Sequence, residues 1–102
     1  MHGLNHIAEA LLTGLASTGL RSLEERWDAQ SFGSGLIVLG RSKPELRLVW
    51  DGKDEWAWLQ TLNPAGSWVD ASGPMRKGDF PFGVPDADKL HQMTEVARRV
   101  LS

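Results

Sequence analysis

The stretch that most constrains the fold runs from Leu46 to Leu62, where two apolar-rich segments flank the dipeptide Asp51-Gly52. An Asp-Gly pair between alternating hydrophobic segments is the strongest short-range sequence signal for a β-hairpin. Trp50, Trp56 and Trp58, three of the five tryptophans of the chain, also lie in this stretch. The stretch therefore predicts a hairpin around which the rest of a small sheet is arranged.

The length of the hairpin loop decides where the tryptophans point, because a shift of one residue moves every side chain to the opposite face. A two-residue loop at Asp51-Gly52 pairs Arg47 with Trp56 and makes Trp56 and Trp58 an outward patch, typical of an interaction site. A three-residue loop instead pairs Arg47 with Glu55, an opposite-charge pair worth about 0.2–1 kcal/mol. We favour the three-residue loop, which places Leu46, Leu48, Trp56 and Trp58 on one face. Most of the tryptophans are then expected in the core.

The two ends of the chain have helical patterns. Apolar residues recur at helical spacing from Leu4 to Ala16, and Gly19 is well placed to end this helix in a left-handed cap. The second helix begins at Pro85-Asp86, where proline and acids suit the first turn. Its expected buried stripe consists of Leu90, Met93, Ala97, Val100 and Leu101.

The segments between the helices predict a three- to four-stranded antiparallel meander. Residues 20–30 fit a last helical turn or an edge strand about equally, and we interpret them as irregular chain leading into a strand. Residues 36–39 are interpreted as a strand covered on both faces or central in its sheet. Trp68-Val69 would add a short fourth strand. Residues 71–85 contain repeated Gly and Pro and predict a long loop, in which Phe80 and Phe82 pack. The expected fold is one α+β domain, residues 1–102, with both helices on one face of the sheet.

Composition narrows the function classes. The chain has 102 residues, no cysteine and a formal net charge of −2. Without cysteine there are no disulfides or thiolate metal sites, and the absence of a basic excess disfavours nucleic-acid binding. No apolar segment approaches the ~20 residues that span a bilayer. We expect a soluble, cytoplasmic protein, monomer or homodimer, without contact to a membrane.

Candidate chemistry is sparse. His2 and His6 have a metal-ligand spacing on a helix, but no third ligand lies near them in sequence, so we expect no metal and no cofactor. The acids at the hairpin tip are interpreted as solvated, and Gly33-Ser34-Gly35 lacks the first glycine of a nucleophile elbow. We therefore expect no catalysis. The candidate protein-interaction residues are Asp51, Asp54, Glu55, Trp68, Arg76, Phe80 and Phe82.

The order of helix, meander, loop and helix resembles small immunity-type proteins that neutralise a cognate toxin of bacterial competition systems. The matching stretches are F-G-S-G-L-I-V-L and L-R-L-V-W-D-G-K-D-E-W-A-W-L, a sheet pattern that carries no contact residues. The resemblance implies a stoichiometric, non-catalytic inhibitor with a protein partner, although the mild acidity departs from inhibitors of basic nucleases. Two alternatives remain: a secretion-chaperone-like dimer that holds an effector segment, and a small-molecule or hydrolytic protein that uses the 71–85 loop.

Overall fold

The computed structural model describes residues 3–31, 33–79 and 85–102. Its described elements form an α+β domain with a helix at each end and a five-stranded antiparallel sheet between them. The helices are α1 (Gly3–Gly14) and α2 (Ala87–Leu101). The strands are β1 (Arg21–Asp28), β2 (Ser34–Gly40), β3 (Pro44–Asp51), β4 (Trp56–Leu62) and β5 (Trp68–Arg76). They pair in chain order, β1-β2-β3-β4-β5.

The prediction of three to four strands was too low by one, because residues 20–30 contain a full strand. β1 is an edge strand whose residues are exposed apart from half-buried Leu23. Charged residues are common on strands at the edge of a sheet, where they prevent pairing with another chain. The charges of Glu24, Glu25 and Arg26 therefore interrupt the apolar alternation by which a strand is usually recognised in a sequence.

The predicted 71–85 loop is wrong over its first part, because β5 continues to Arg76. β5 is the other edge of the sheet, where a proline can be accommodated since one side of the strand makes no ladder bonds. Its pairing with β4 is irregular around Leu59, and the Gly73-Pro74 bond is cis. Residues 80–84, with Phe80 and Phe82, lie outside the described residues.

Both helices pack on the same face of the sheet, as predicted. The core joins Leu4, Ile7, Leu11 and Leu15 of α1 and Met93, Ala97 and Leu101 of α2 with inward side chains of the inner strands and β5. Those strand residues are Ile37, Leu39, Leu46, Leu48, Ala57, Leu59 and Met75. The smallest dimension of the molecule is 19 Å, which matches one sheet and one helix layer of about 10 Å each.

The helix boundaries follow local capping chemistry. After α1 a short 3-10 turn at Ala16–Thr18 ends at Gly19, whose φ of 82° is the predicted left-handed cap. α2 begins one residue later than the sequence indicated: Asp86 is the N-cap, and its carboxylate accepts hydrogen bonds from the backbone N–H groups of Asp88 and Lys89. Such a cap contributes about 1 kcal/mol. Val100 was expected in the buried stripe but is 37% exposed.

The other end of α2 is tied to the β2-β3 turn. The Arg41 guanidinium forms a salt bridge with Glu45 and donates a hydrogen bond of 3.3 Å to the carbonyl of Leu101. A cation at this position is favoured by the helix dipole. No helix in the described part of the chain is long and apolar enough to cross a membrane.

Candidate functional site: the open face of the sheet

The hairpin register differs from both predicted registers. It decides which side chains lie on the face of the sheet that is turned away from the helices. Asp51 pairs with Trp56 across a four-residue loop, and Arg47 pairs with Gln60. The favoured pairing of Arg47 with Glu55 is therefore wrong, as is the expected burial of Trp56 and Trp58 in the helix-covered core. Loops of two and of four residues both contain an even number of residues, so they place the same side chains on the same face of the sheet. The two-residue alternative therefore predicted the correct faces but the wrong residue pairs.

Core packing explains this register. It places Leu46, Leu48, Ala57 and Leu59 against the helices, all fully buried. Trp50, which packs on the edge of that core, lies opposite the small side chain of Ala57. Two bulky indoles in the place of Ala57 and Leu59 would overfill the space beneath α1 and α2.

The side of the sheet turned away from the helices is called here the open face. It carries alternate side chains of all five strands, and neither helix lies on it in the part of the chain that the structure describes. Trp56, Trp58 and Trp68 are half-buried there. Together with two arginines they form what we call the Trp–Arg patch: Arg47, Trp56, Trp58, Trp68 and Arg76.

Each arginine of the Trp–Arg patch stacks on an indole. The Arg47 guanidinium carbon lies 4.7 Å from the centre of the Trp68 ring, and that of Arg76 lies 4.8 Å from the centre of the Trp56 ring. Trp56 and Trp58 are also in contact, with ring centroids 5.7 Å apart. Stacking of this kind contributes about 0.5–2 kcal/mol and fixes the plane of the guanidinium. The patch is therefore built to present rigid aromatic and cationic groups.

Two successive side-chain hydrogen bonds, through Gln60 to Asp70, also hold Arg47 in place. Its Nε donates a 2.7 Å hydrogen bond to the Gln60 side-chain oxygen, and the Gln60 amide nitrogen donates one of 2.8 Å to Asp70. Burial lowers the pKa of Arg47 from its ordinary value, since desolvation disfavours the charged form. The guanidinium nevertheless remains protonated at neutral pH because its ordinary pKa is so high.

A groove of about 260 Å³ lies on the open face beside Arg47. Val38 and Leu36 contribute apolar surface to it, while Arg47 and Trp68 belong to the same lining. The remaining lining residues are Glu24, Arg26 and Pro44. Arg26 is already engaged, because its guanidinium makes a 2.9 Å salt bridge with Glu24. The groove thus combines apolar side chains with the stacked guanidinium of Arg47 and the Arg26–Glu24 ion pair.

Of the residues proposed from the sequence, Trp68 and Arg76 belong to the Trp–Arg patch, while the hairpin-tip acids do not. The Asp51 carboxylate accepts hydrogen bonds from the backbone N–H groups of Lys53 and Asp54, so it shapes the loop. Asp54 is exposed, and Glu55 has a left-handed φ of 59° directly before β4. Phe80 and Phe82 lie outside the described residues.

The 71–85 segment, on which the enzymatic alternative is based, is described for residues 71–79 and for residue 85. A cleft of about 320 Å³ lies between β5 and α2, and Lys89 is the one ionisable residue among its lining side chains. That ammonium forms a 2.8 Å salt bridge with Asp79. Within residues 3–31, 33–79 and 85–102, no group of three His, Asp or Glu side chains is arranged to hold a metal ion.

Asp79 has a structural position between the end of β5 and α2. Its carboxylate binds the Lys89 ammonium and also accepts a 2.9 Å hydrogen bond from the backbone N–H of Arg76. These two donors, the Lys89 side chain first, lower the pKa of Asp79 below its ordinary value. The carboxylate therefore stabilises the folded state in its ionised form.

We expect Asp79→Asn to lower the free energy of unfolding at neutral pH by about 0.5–1 kcal/mol, since partly exposed ion pairs contribute little. Because the pKa of Asp79 is lowered on folding, this stabilisation is complete above the ordinary carboxyl pKa of about 4 and is lost as the pH falls through the folded value. Urea denaturation of both proteins at pH 7 and pH 3 measures the difference. A deficit of the variant that is as large at pH 3 as at pH 7 would contradict this assignment, and Asp54→Asn at the exposed hairpin tip is the control.

Comparison with known proteins gave no relative. No protein-family model matches the chain, and neither the curated proteins nor the solved structures that were searched contain a match.

The sequence did not single out Arg47 and Gln60 as candidates. The signal that pointed to the patch was the alternative hairpin register, in which Trp56 and Trp58 share the face of Arg47. The stack of Arg47 on Trp68 joins β3 to β5 across β4, a contact that depends on the strand order of the complete sheet.

Proposed function

We propose that the protein is a non-catalytic protein-binding module and that the Trp–Arg patch is its binding surface. The observation that carries the proposal is the position of Trp56, Trp58 and Trp68 on the face without helices. Tryptophan and arginine are the residues most enriched at the energetic centre of protein interfaces. An aromatic cluster on one exposed side of a small domain is typical of an interaction site.

The rigidity of the patch favours binding over a purely structural role. Side chains that are ordered before binding lose less conformational entropy when a partner arrives. Arg47 is held by Trp68 and Gln60, and Arg76 is held by Trp56. A partner therefore meets a preformed surface.

Within this class we propose a stoichiometric inhibitor of the immunity type. The order of helix, antiparallel meander and helix supports this proposal, as does the absence of a metal-binding group among the described side chains. The partner would then be a toxin, bound one to one. A secretion-chaperone-like protein would instead elute as a dimer, so the elution volume of the purified protein separates the two possibilities.

The proposal is tested by affinity capture from a lysate of the source cell, with wild-type protein and the variants Trp56→Ala, Trp58→Ala and Trp27→Ala. We expect Trp58→Ala to remain folded and to weaken capture of the specific partner at least ~30-fold, the effect of removing an interface hot spot. Trp27→Ala is the matched control, because Trp27 is 41% exposed on β1 and lies outside the patch. Its capture should equal that of wild type.

Circular dichroism of each variant checks folding, and mass spectrometry with quantification of both chains checks the one-to-one ratio. The proposal is wrong if a specific partner is retained equally by wild type, Trp56→Ala and Trp58→Ala. Partner loss for Trp27→Ala alone would move the binding surface to β1.

A further inference from the structure

Each arginine of the Trp–Arg patch is stacked on an indole, and neither forms a salt bridge with a carboxylate of the described residues, although Asp79 interacts electrostatically with Arg76. Within the described residues, the ion pairs of the sheet and helices join Arg26 to Glu24, Arg41 to Glu45, Lys89 to Asp79 and Arg98 to Glu95. Arg47 and Arg76 are in none of them. Arg47 donates a hydrogen bond from Nε to the neutral side-chain amide of Gln60, and among the described residues its two terminal nitrogens make no hydrogen bond.

A stacked guanidinium with free terminal N–H groups is suited to a carboxylate. The fork of two parallel N–H donors matches the two oxygens of the acid, and the aromatic ring beneath keeps the fork in place. The groove beside Arg47 adds apolar surface from Val38 and Leu36, on which the methylene groups of a glutamate side chain can lie. The chemistry of this end of the patch therefore points to an acidic side chain of the partner.

The strand register sets the distance between the two cations. Arg47 lies opposite Gln60, and Arg76 lies opposite Trp56. Four residues along β4 correspond to about 13 Å, and the two strand spacings from β3 to β5 add a lateral offset of about 10 Å. The two offsets combine to about 16 Å between the two Cα positions. Two residues of an extended segment that are four positions apart are about 13 Å apart and point to the same side, and the length of their glutamate side chains covers the remaining distance.

The middle of the patch is uncharged and aromatic. Trp58 lies between the two Arg–Trp stacks along β4, in contact with the Trp56 ring. A residue midway between two acids of an extended segment would face Trp58, and burial there favours an apolar side chain. The patch therefore defines a pattern of acid, apolar residue and acid at alternate positions.

We propose that the partner presents an extended acidic segment to the open face, with two carboxylates four residues apart on Arg47 and Arg76 and an apolar side chain between them on Trp58. This inference rests on the proposed function and adds the chemistry of the partner to it.

Single-stranded nucleic acid also stacks on aromatic side chains, but the charges of this face suit it less well. A nucleic-acid backbone carries a phosphate at every nucleotide and is bound along a continuous cationic track. Here the two guanidinium groups are separated by the uncharged side chains of Trp58 and Gln60. Two separate carboxylates fit this distribution.

The test uses a capped peptide, acetyl-Glu-Thr-Leu-Thr-Glu-amide, titrated into the full-length protein while the tryptophan indole N–H signals are followed by NMR. We expect saturable shifts of the signals assigned to Trp56, Trp58 and Trp68. The peptide with both Glu replaced by Gln should bind ~10-fold or more weakly, since each charge-assisted bidentate pair is lost. Higher salt should weaken the Glu peptide and leave the Gln peptide little changed.

Arg47→Gln and Arg76→Gln should each weaken the Glu peptide ~10-fold, and Arg99→Gln on α2 is the matched control. Arg47→Lys keeps the charge without the fork and should fall between wild type and Arg47→Gln. The Lys variant also provides the readout if Arg47→Gln fails to fold.

Equal binding of the Glu and Gln peptides would overturn the proposal that the partner segment is acidic, while leaving the patch as a binding surface. An absence of shifts with the Glu peptide would overturn it as well. Arginine-dependent binding of a deoxythymidine oligomer in place of the peptide would assign the patch to nucleic acid. Failure of the proposed function itself is recognised separately, by partner capture that is insensitive to Trp56→Ala and Trp58→Ala.

Discussion

Leu48→Ala is expected to lower the free energy of unfolding by about 2–5 kcal/mol, the usual range for a fully buried leucine. Leu48 has no exposed surface, and it lies between Ile37 and Leu59 in the centre of the helix-covered face. Truncation removes its apolar contacts and leaves a cavity that the neighbouring strands cannot close. Urea denaturation monitored by circular dichroism measures the change in midpoint.

The matched control for this prediction is Val49→Ala, one residue further along the strand. Val49 is half-buried on the open face, so its truncation should cost clearly less than that of Leu48. Leu12→Ala should also fall below Leu48→Ala, because Leu12 is only partly buried against the core. An unmoved transition for Leu48→Ala together with a large loss for Val49→Ala would reverse the face assignment of β3.

Gly40→Ala is expected to be the second most destabilising change, by about 1–3 kcal/mol or more, because the new methyl group has no space. A Cβ at Gly40 would lie 1.9 Å from the carbonyl oxygen of Lys43 and 3.0 Å from a methyl carbon of Leu23. The oxygen belongs to the backbone of the turn into β3, so relief of the clash requires the β2-β3 turn to move. Thermal and urea unfolding of the variant measure the loss.

Gly78→Ala is the control for Gly40→Ala. A Cβ at Gly78 would meet no atom within 4 Å, so its unfolding transition should stay close to that of wild type. A Gly40→Ala protein as stable as Gly78→Ala would show that the β2-β3 turn adopts a different backbone path from the one described here.

Much of the architecture was predictable because it is recorded in local patterns. The helical repeat from Leu4 predicted the first helix, although α1 ends at Gly14 and the left-handed Gly19 caps the 3-10 turn that follows it. The turn residues around Asp51 fixed the existence of the hairpin. These signals are local in the chain. They predict the folded structure correctly because the apolar face that they define is the face buried in the core.

The edge strands were the elements that local patterns described poorly. For β1 the edge-strand alternative was not the favoured one, because an edge strand tolerates charges on both faces. β5 was shortened in the prediction because Gly73 and Pro74 resemble a loop. At an edge, half of the backbone hydrogen bonds are made to solvent, so the usual rules against charge, glycine and proline are relaxed. Sequence reasoning is therefore weakest at the two borders of such a sheet.

The amino-acid sequence by itself determined that this chain is a small α+β domain with a helix at each end and a hairpin at Asp51-Gly52. Only the tertiary structure decided that Trp56 and Trp58 face away from the helices, beside Arg47 and Trp68. The physical reason is that turn chemistry allows several loop lengths, whereas the space beneath the helices accepts Ala57 and Leu59 and excludes two indoles. The packing of the core thus selected the register, and the register placed Trp56 and Trp58 on the other face.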